Sequence, residues 1–522
     1  RASMPKSAAY NVRDNVQDVE YITRQVNIDG AGNNILNDAG NEPSIAIDPT
    51  NPNRIVIGWR QFDVISSNFR QAGYGYSTDG GLTWAFPGPL TPGTFRSDPV
   101  LDYDVAGNFY YNSLQDTFNC DVFAIRNGGT VWGPPVPAQG GDKQWMRIDR
   151  SDGTGPGHNY SYWNRSFSVC SGAFTRSTNE ANSFENCVEI IGSPFWGTLA
   201  VNTTGDLFLT GTTAAGISII KSTNAKDPGQ TVMFDSTTPV NLDGDLNVGQ
   251  PINPQGLIGQ TWVDVDMSTG PGRDNVYVLA SVERFSVADP ADVMFAKSTD
   301  GGATFLPPVR INTDTEGNDA YQWFGTMSVA PNGRIDVIWL DTRDAPSGTF
   351  ASVLYYSFSE DQGSTWSDNL AISEPFDPTI GYPQQSKMGD YFDMKSSEDF
   401  AHVAWCATFT GGQDVYYTKI SPEGTLGLDG LTAQTLAVSI APNPLATKSS
   451  ITFTLAQQVH TTVVVYDMLG REVAVLLQGS AAGKQQLQWD GTATNGQRVS
   501  PGVYFVTVRA GSVHKTLKVA VQ

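Results

Sequence analysis

The 522-residue chain is poor in histidine, cysteine and positive charge. Its 4 His and 4 Cys form no Cys-x-x-Cys motif and no Cys/His pair, which argues against a zinc site. Lys and Arg number 32 against 53 Asp and Glu, and the formal charge of -21 argues against nucleic acid or an anionic membrane as a partner. No apolar run approaches about 18 residues, so no transmembrane helix is predicted.

Helical periodicity of useful length is lacking too, and the residues that remain favour β-structure. The chain has 53 Gly, 30 Pro and 11% aromatic residues, with only 16% charged residues. It begins at Arg1 rather than Met, as a mature form without its signal peptide would. Cys170 and Cys187 could bridge a hairpin, whereas Cys120 and Cys406 suit buried free thiols. These features predict a turn-rich, all-β fold.

One eight-residue pattern, Ser-x-Asp-x-Gly-x-Thr-aromatic, recurs along the chain. In this pattern the Asp can accept hydrogen bonds from backbone amides, the Gly permits a positive φ, and the aromatic residue packs back onto the sheet. Each copy follows a short apolar run, so the pattern predicts a turn between two strands. Its key residues are Ser77, Asp79, Gly81 and Trp84, then Ser298, Asp300, Gly302 and Phe305, then Ser359, Asp361, Gly363 and Trp366. Weaker echoes begin at Ser177 and Ser222.

This repeat resembles the Asp-box, or BNR, repeat of sialidase-like β-propellers. Residues 41–420 contain seven units, each an opening strand followed by further strands, spaced about 45 to 70 residues apart, as four-stranded propeller blades are. Sialidase catalytic domains have six blades, and an irregular fourth unit leaves six open here. Residues 1–40 form an N-terminal arm whose alternating segment 19–28 could supply the strand that closes the ring. The alternative is a surface edge strand.

Residues 421–436 are small, polar and rich in glycine, and they predict a linker. After them, residues 437–522 contain six short alternating segments, which predict a small Ig-like β-sandwich. The order APNP, VYDMLGREV, WDGTATNGQRVSPGVYFVTV and a Lys-containing last strand resembles the type A sorting domain of the type IX secretion system. That resemblance implies outer-membrane secretion machinery as a partner, export, and a secreted or cell-surface location. An Ig-like module without a sorting role is the alternative.

In a propeller, the starts of the first strands and the ends of the second strands gather on the face opposite the Asp-box turns. This rule predicts a ligand site there from the second-strand residues Arg60, Arg165, Arg284, Arg343 and Asp341 and the first-strand residue Trp323. Glu42, Asp98, Asp142, Lys143, Trp145, Trp196, Trp262, Asp390 and Tyr391 also fall at first-strand starts.

The sialidase resemblance implies specific roles for some of these residues. Arg60, Arg165 and Arg343 would clamp a substrate carboxylate, Tyr391 would be the nucleophile, and Asp98 or Asp142 the acid/base. The chain departs from the family because Arg54 is followed by Ile55 and Val56 where an Arg-Ile-Pro motif is expected. No Glu is clearly placed to activate Tyr391.

No cofactor is predicted, and calcium is the one metal that the sequence leaves open. Residues 243–249 and 312–317 alternate oxygen-bearing side chains before a Gly but lack the distal Glu of a full calcium loop, so solvated turns are favoured. The favoured function is binding of a glycan or another extracellular ligand. The alternatives are a sialidase-type glycoside hydrolase and a self-associating subunit of an extracellular assembly, for which the N-terminal arm would reach a neighbour.

Overall fold

The computed structural model describes residues 6–17, 19–422, 438–445, 447–467, 471–494, 496–510 and 513–521. The chain divides into two compact units, Arg1–Gly424 and Thr425–Gln522. Apart from one short 3-10 turn at Arg165–Phe167, the regular elements of the described residues are all strands, so the all-β prediction is confirmed. Within those residues, no helix has the length and apolar character needed to cross a membrane.

The first unit contains seven antiparallel sheets. Two N-terminal strands come first, β1 (Asn11–Val16) and β2 (Val19–Gln25). Sheet one contains β3 (Ala39–Ile47), β4 (Ile55–Phe62) and β5 (Gln71–Ser77). Sheet two contains β6 (Ser97–Tyr103), β7 (Phe109–Leu114), β8 (Cys120–Ile125) and β9 (Val136–Pro137). Sheet three contains β10 (Trp145–Ile148), β11 (Asn159–Tyr162) and β12 (Phe174–Ser177).

The remaining four sheets follow in chain order. Sheet four contains β13 (Leu199–Val201), β14 (Leu207–Thr213), β15 (Gly216–Ser222) and β16 (Ser236–Pro239). Sheet five contains β17 (Gly244–Asp245), β18 (Trp262–Val265), β19 (Val276–Arg284), β20 (Asp292–Ser298) and β21 (Val309–Arg310). Sheet six contains β22 (Gln322–Val329), β23 (Ile335–Asp341), β24 (Val353–Ser359) and β25 (Leu370–Ala371). Sheet seven contains β26 (Asp393–Ser396), β27 (Ala401–Ala407) and β28 (Asp414–Ser421), together with β2 and β1.

The innermost strands of the seven sheets form a closed ring. Strands β3, β6, β10, β13, β18, β22 and β26 contact one another in this order, and β26 in turn contacts β3. A ring of antiparallel sheets around a centre is the arrangement of a β-propeller. The predicted fold class is therefore confirmed.

Hydrogen bonds join each innermost strand to the next, and at every junction at least one of them links a side chain on one side to a backbone atom on the other. The seven bonds join Ser44 Oγ to Leu101 N (2.8 Å), Asp102 Oδ2 to Ile148 N (2.7 Å), Arg147 Nε to Leu199 O (3.0 Å), Thr198 Oγ1 to Val263 N (2.9 Å), Asp264 Oδ2 to Val329 N (2.9 Å), Ser328 Oγ to Ser396 N (3.0 Å) and Asp393 Oδ2 to Ile45 N (3.0 Å). We refer to them as the inter-sheet bonds. They satisfy backbone groups that the sheets themselves leave unpaired in the buried centre.

The seventh sheet combines both ends of the first unit. Strand β2 pairs antiparallel with β28, and the buried hydroxyls of Thr23 and Thr418 lie 2.9 Å apart across the pair. The outer edge of β28 is thereby covered by the N-terminal part of the same chain. Closing the ring consequently depends on residues almost 400 positions apart, since these two threonines are separated by 395 residues.

A buried carboxyl pair lies where the seventh sheet meets the first. The Asn27 Nδ2 amide donates to Asp414 Oδ1 (2.8 Å) and, at 3.4 Å, to Asp38 Oδ2, which also accepts from Gln61 Nε2 (3.1 Å). Burial raises the pKa of Asp38 to about 7, with a further contribution from the Asp414 charge, and burial raises the pKa of Asp414 to about 6. Both groups therefore favour protonation in the folded state.

The repeated turns, those of the Ser-x-Asp-x-Gly-x-Thr-aromatic pattern, share one hydrogen-bonding scheme. In the first copy, Ser77 Oγ donates to Asp79 Oδ1 (2.8 Å) and accepts from Gly81 N (2.9 Å), while Asp79 accepts from the backbone and hydroxyl of Thr83. The copies at Ser298 and Ser359 repeat these bonds. The echo at Ser177 keeps part of the scheme with Asn179 as acceptor, and Ala181 takes the positive φ (58°).

Each turn also packs on the preceding sheet, which explains its Gly and its aromatic residue. Gly81 has φ 89°, and a Cβ there would collide with the Tyr417 ring of sheet seven, while Trp84 lies 5.2 Å from that ring. In sheet six, Gly363 and Trp366 pack in the same way on Phe295 of sheet five. The repeated turn thus joins neighbouring sheets at the rim of the ring.

The cysteines follow the sequence prediction. Cys170 and Cys187 form a disulfide that closes the segment around β12. Cys120 and Cys406 are buried free thiols, whose pKa values are raised above the ordinary range by burial. Neither thiol has the exposure or lowered pKa of a reactive cysteine.

The described residues of the second unit form five strands, whereas the sequence predicts six. They are β29 (Ser439–Ala441), β30 (Ser449–Tyr466), β31 (Glu472–Trp489), β32 (Gly502–Ala510) and β33 (Val513–Val521). The first four predicted segments merge into β30 and β31, two strands of 18 residues whose pairing shifts register between Leu455 and Val459. A strand can bend at a bulge and continue beyond it. The bulge interrupts the alternating pattern, so the sequence predicts two strands there. The core includes Phe453, Trp489 and Val506.

We expect Thr198→Val to weaken the ring at one junction. Valine keeps the volume of threonine but removes the Oγ1 acceptor, which leaves the buried Val263 N–H without a partner. The free energy of unfolding should fall by about 1–3 kcal/mol, measured from urea unfolding monitored by tryptophan fluorescence. Thr130→Val, on an exposed loop, should change it by less than about 0.5 kcal/mol. Equal stability of the two variants would contradict the role of the inter-sheet bond.

We also expect the stability of the first unit to decrease with pH through its carboxyl pair. Because the folded-state pKa values of Asp38 and Asp414 exceed the ordinary value of 3.8, the folded chain binds more protons than the unfolded chain between about pH 4 and 7. The contribution of this pair to the free energy of unfolding therefore falls as pH rises through that range. Asp38→Asn should reduce this fall by on the order of 2 kcal/mol, measured by urea unfolding at several pH values. The exposed Asp368→Asn is the control, and parallel pH profiles for all three proteins would refute the assignment.

Candidate functional site

The face opposite the repeated turns carries a row of residues with positive φ, one at or near the start of each innermost strand. The row consists of Glu42 (50°), Asp98 (45°), Lys143 (56°), Trp196 (59°), Gly259 (151°), Phe324 (56°) and Gly389 (109°). Register shifts after Asn41, Ser97 and Trp323 accompany it. Five members are not glycine, and non-glycine residues at positive φ are concentrated at functional sites. No sequence signal marks this row, because Glu, Asp, Lys, Trp and Phe share no side-chain property.

Charged side chains from four sheets meet at this row and form what we call the central charge cluster. Its members are Glu42 and Arg60 of sheet one, Asp98 of sheet two, Lys143 of the segment before β10, and Lys387 and Asp390 of the segment before β26. Lys143 Nζ lies 2.7 Å from Asp390 Oδ2 and 3.7 Å from Asp98 Oδ2. Glu42 Oε1 lies 3.1 Å from Lys387 Nζ, and its Oε2 lies 3.2 Å from Arg60 Nε. Cations and carboxylates therefore alternate around the centre.

Burial and pairing act against each other on these groups. Burial raises the pKa of Glu42 to about 7, although the Arg60 and Lys387 charges oppose it. Burial also acts to raise the pKa of Asp98 and Asp390, but the ammonium of Lys143 overrides it and holds both values below the ordinary range. Lys143, despite its burial, has its pKa raised by Asp390 and Asp98. The cluster keeps most of its charges because they are paired.

The cluster reaches solvent through two neighbouring side chains. Asp142 is 26% exposed and Lys143 12% exposed, with 3.6 Å between their charged atoms. Arg60 Nη2, within the cluster, is buried without a hydrogen-bond partner among the described residues, and so are both side-chain amide atoms of Gln260. Gln260 directly follows Gly259 of the positive-φ row. Buried polar atoms without partners are rare, and at a solvent-connected site they suit a polar ligand or ordered water.

Aromatic rings lie next to the row in sequence and pack against one another. Trp145 contacts both Trp262 and Tyr391 edge-to-face, with ring centroids 5.1 Å apart in each pair. Tyr391 Oη donates to the Pro99 carbonyl at 2.8 Å, and burial raises the pKa of this tyrosine well above its usual value. A buried phenol that donates to a backbone carbonyl and has no carboxylate partner among the described contacts is poorly placed to attack a substrate.

The structure does not bring the three predicted clamp arginines together. Arg60 lies in the central charge cluster, Arg165 is 49% exposed and pairs with Glu189 (2.7 Å), and Arg343 pairs with Asp341 (2.7 Å). The arginines point to different parts of their sheets. Arg60 donates to Asn41 on the innermost strand, whereas Arg343 also donates to Asn369, next to the outermost strand β25 of its sheet. A position at the end of a second strand therefore does not by itself determine whether a side chain points to the centre of the ring.

The other predicted ligand residues have structural partners. Arg284 bonds to Asp243 (2.8 Å) and Asp292 (2.7 Å), and Trp323 is fully buried with its Nε1 bonded to Ser352 Oγ (3.3 Å). Asp98 and Asp142 do lie at the cluster. Lys387 belongs there too but is absent from the sequence inventory, because it precedes β26 by several residues and no strand pattern includes it.

Both segments that resembled partial calcium loops contain ion pairs. Asp243 accepts from Arg284 and Ser286, while Asp314 accepts from Arg310 (3.0 Å) and Asn312 (2.7 Å). Their carboxylate oxygens thus already have cationic or amide donors. In the part of the chain that the structure describes, no group of three or more His, Cys, Asp or Glu is arranged to hold a metal ion. The absence of a cofactor stays a prediction.

Comparison with known families gives one match, in the second unit. Residues 443–513 match the family model of the FlgD Ig-like domain. No curated protein matches the chain.

Several solved structures are similar to the chain at low identity. A protein of unknown function from Dyadobacter fermentans DSM 18053 aligns at 13% identity and a TM-score of 0.44 over 78% of this chain and 100% of that chain. PorZ of Porphyromonas gingivalis, described as an essential surface component of its type-IX secretion system, aligns at 12% identity and a TM-score of 0.30 over 99% and 74%. The NanB sialidase of Streptococcus pneumoniae aligns at 11% identity and a TM-score of 0.37 over 74% and 68%. These similarities carry no conclusion about activity.

Proposed function

We propose that the chain is a secreted or cell-surface, sialidase-like Asp-box propeller that binds a glycan or another extracellular ligand at the central charge cluster. The observation that carries the proposal is the cluster itself. Residues from four sheets converge on one face, Lys143 and the adjacent Asp142 reach solvent, and Arg60 keeps a hydrogen-bonding atom that no described residue uses. A site of this kind, with few polar groups fixed by a rigid scaffold, is typical of ligand recognition.

The chemistry of the cluster favours hydroxyl-rich ligands over anions. Asp142 can accept hydrogen bonds from sugar hydroxyls and Lys143 can donate to them, which suits a glycan. Carboxylates and cations alternate there, so no isolated positive charge attracts a carboxylate, and the formal charge of -21 also opposes an anion.

Binding is favoured over the hydrolase and the assembly alternatives. Tyr391 donates to a backbone carbonyl, and Arg165 and Arg343 are engaged outside the cluster, so the described contacts do not assemble a sialidase constellation. For assembly, the N-terminal strand β2 is already paired with β28 of its own chain.

We expect Asp142→Asn to weaken glycan binding. The substitution keeps the side-chain shape but removes the charge at the opening of the cluster, so the dissociation constant should rise about fivefold to tenfold. The ligand is first identified by screening the purified chain on a glycan array, and the affinity is then measured by calorimetry. Asp368→Asn, which makes the same change at an exposed site in the turn before β25, is the matched control and should bind as the unaltered chain does.

Two outcomes would contradict the binding proposal. Equal affinities of the Asp142 and Asp368 variants would place the ligand away from the cluster. Turnover of fluorogenic sialosides by the unaltered chain, abolished in Tyr391→Phe, would establish the hydrolase alternative instead, since that variant removes only the phenolic hydroxyl.

We further propose that residues 437–522 are a type A sorting domain that directs export by the type IX secretion system. The support is the order of the APNP, VYDMLGREV and WDGTATNGQRVSPGVYFVTV motifs before a Lys-containing last strand. A fold alone would not specify this role, because Ig-like domains serve many functions.

The export proposal predicts that these residues are sufficient to carry a cargo outward. A periplasm-targeted fluorescent protein fused to residues 425–522 should appear outside the outer membrane of a bacterium with a working type IX system, measured by protease accessibility on intact cells. The same fusion ending at residue 512, which lacks β33, should stay in the periplasm. Export of both fusions, or of neither, would contradict the assignment.

A further inference from the structure

The other mouth of the ring, on the side of the Asp-box turns, contains a cavity that the proposed function does not use. It has a volume of about 390 Å³ and lies where the innermost strands end. Four cations line it: Arg147 and Arg150 from the end of sheet three, Arg273 from the turn between β18 and β19, and Lys395 from β26. Four cations around one cavity are unexpected in a chain with a formal charge of -21.

Three of these cations are held in place by the inter-sheet bonds. Asp102, Asp264 and Asp393 each use one oxygen to accept a backbone N–H of the next sheet. Their other oxygens accept from Arg150 Nη1 (2.8 Å), Arg147 Nη2 (3.2 Å) and Lys395 Nζ (3.0 Å) respectively. Each carboxylate is thus fixed by the ring and in turn fixes a cation at the mouth.

The same cations keep donors that no protein atom uses. Within the described residues, Arg147 Nη1, Arg150 Nη2 and the Nε and Nη2 of Arg273 have no acceptor, and Lys395 makes one bond with an ammonium that carries three hydrogens. Arg273 is exposed, and its one hydrogen bond, from Nη1 to Ser268 O (3.0 Å), does not involve a carboxylate. Besides the paired Asp264, the cavity wall has one acidic residue, the exposed Asp152.

The cavity also has an apolar side. The half-buried Tyr103 ring, with the Arg150 guanidinium 4.3 Å from its centroid, stands beside Pro49, Pro331 and Val105. A second cavity of about 480 Å³ shares Pro49, Tyr103, Pro331, Lys395 and Ser396 with the first and is therefore adjacent to it. Its own wall adds Lys419 but also Asp48, Glu398 and Asp399, so the cationic part of this mouth is the first cavity. The size of the first cavity suits a ligand of one or two rings.

We propose that this mouth is a second binding site, which takes an organic anion of one or two rings bearing a carboxylate or sulfate. The anionic group accepts the unused N–H donors of Arg147, Arg150, Arg273 and Lys395, and the ring packs against Tyr103 and Pro331. Guanidinium groups match both carboxylate and sulfate oxygens with two parallel hydrogen bonds, which is why the charged group can be either. The site is independent of the central charge cluster, which lies on the opposite face and presents mixed charges.

The test is calorimetry of the full chain with three probes: D-glucuronate, a sulfated heparin-type disaccharide and inorganic sulfate. We expect the two organic anions to bind more tightly than inorganic sulfate. Arg273→Glu should raise their dissociation constants about tenfold or more, because it removes the free cation and adds a repelling charge. It should leave thermal unfolding unchanged, since Arg273 is exposed. The Lys484→Glu variant makes the same charge change at an exposed position of β31 and should bind the probes as the unaltered chain does.

A second variant separates recognition of the ring from recognition of the charge. Tyr103→Leu should weaken binding of glucuronate several-fold and leave binding of inorganic sulfate unchanged. Equal affinities for the Arg273 and Lys484 variants would overturn the proposal, as would the absence of measurable binding of the organic probes at low salt. Binding of inorganic sulfate as tight as that of the organic anions would overturn the ring requirement and leave an adventitious ion only.

Discussion

The circle of inter-sheet bonds is the constraint on which the rest of the first unit depends. Each innermost strand must satisfy backbone groups that face a neighbouring sheet rather than a paired strand. One side chain at each junction does this, from Ser44 in the first sheet to Asp393 in the seventh. Because the last bond returns to the first sheet, no junction can shift without disturbing the others.

That circle also explains why the two mouths differ chemically. At the mouth lined by cations, Asp102, Asp264 and Asp393 accept from backbone amides and from one cation each, so the remaining cation donors face the cavity. On the opposite face, a positive-φ residue lies at or near the start of each innermost strand, and the charged side chains there pair with one another. A chain of strongly negative formal charge thus presents a mixed site on one face and a cationic site on the other.

The repeated turns show which features local sequence patterns can predict. Serine, aspartate, glycine and the aromatic residue predicted the turn, and their bonds lie within eight residues of one another. The long-range packing of Gly81 and Trp84 on Tyr417 was not predictable from the pattern. The same limit applies to the site: Asp98 and Asp142 were identified from strand starts, whereas Lys387 was missed and the arginines were wrongly grouped.

The sequence by itself indicated the strand segments of the first unit, the repeated turns and the change to a second β-unit after residue 436, and it offered Cys170 and Cys187 as a possible disulfide. Those features depend on side-chain alternation, turn residues and spacing, which are local. The sequence left open whether segment 19–28 closes the ring or forms a surface edge strand. Only the tertiary structure decided that Val19–Gln25 pairs with Asp414–Ser421, which strands of the second unit are continuous, and which charges meet at each mouth. The direction of each side chain at the ends of the innermost strands depends on bulges and on partners in neighbouring sheets, and residues far apart in the chain supply those partners.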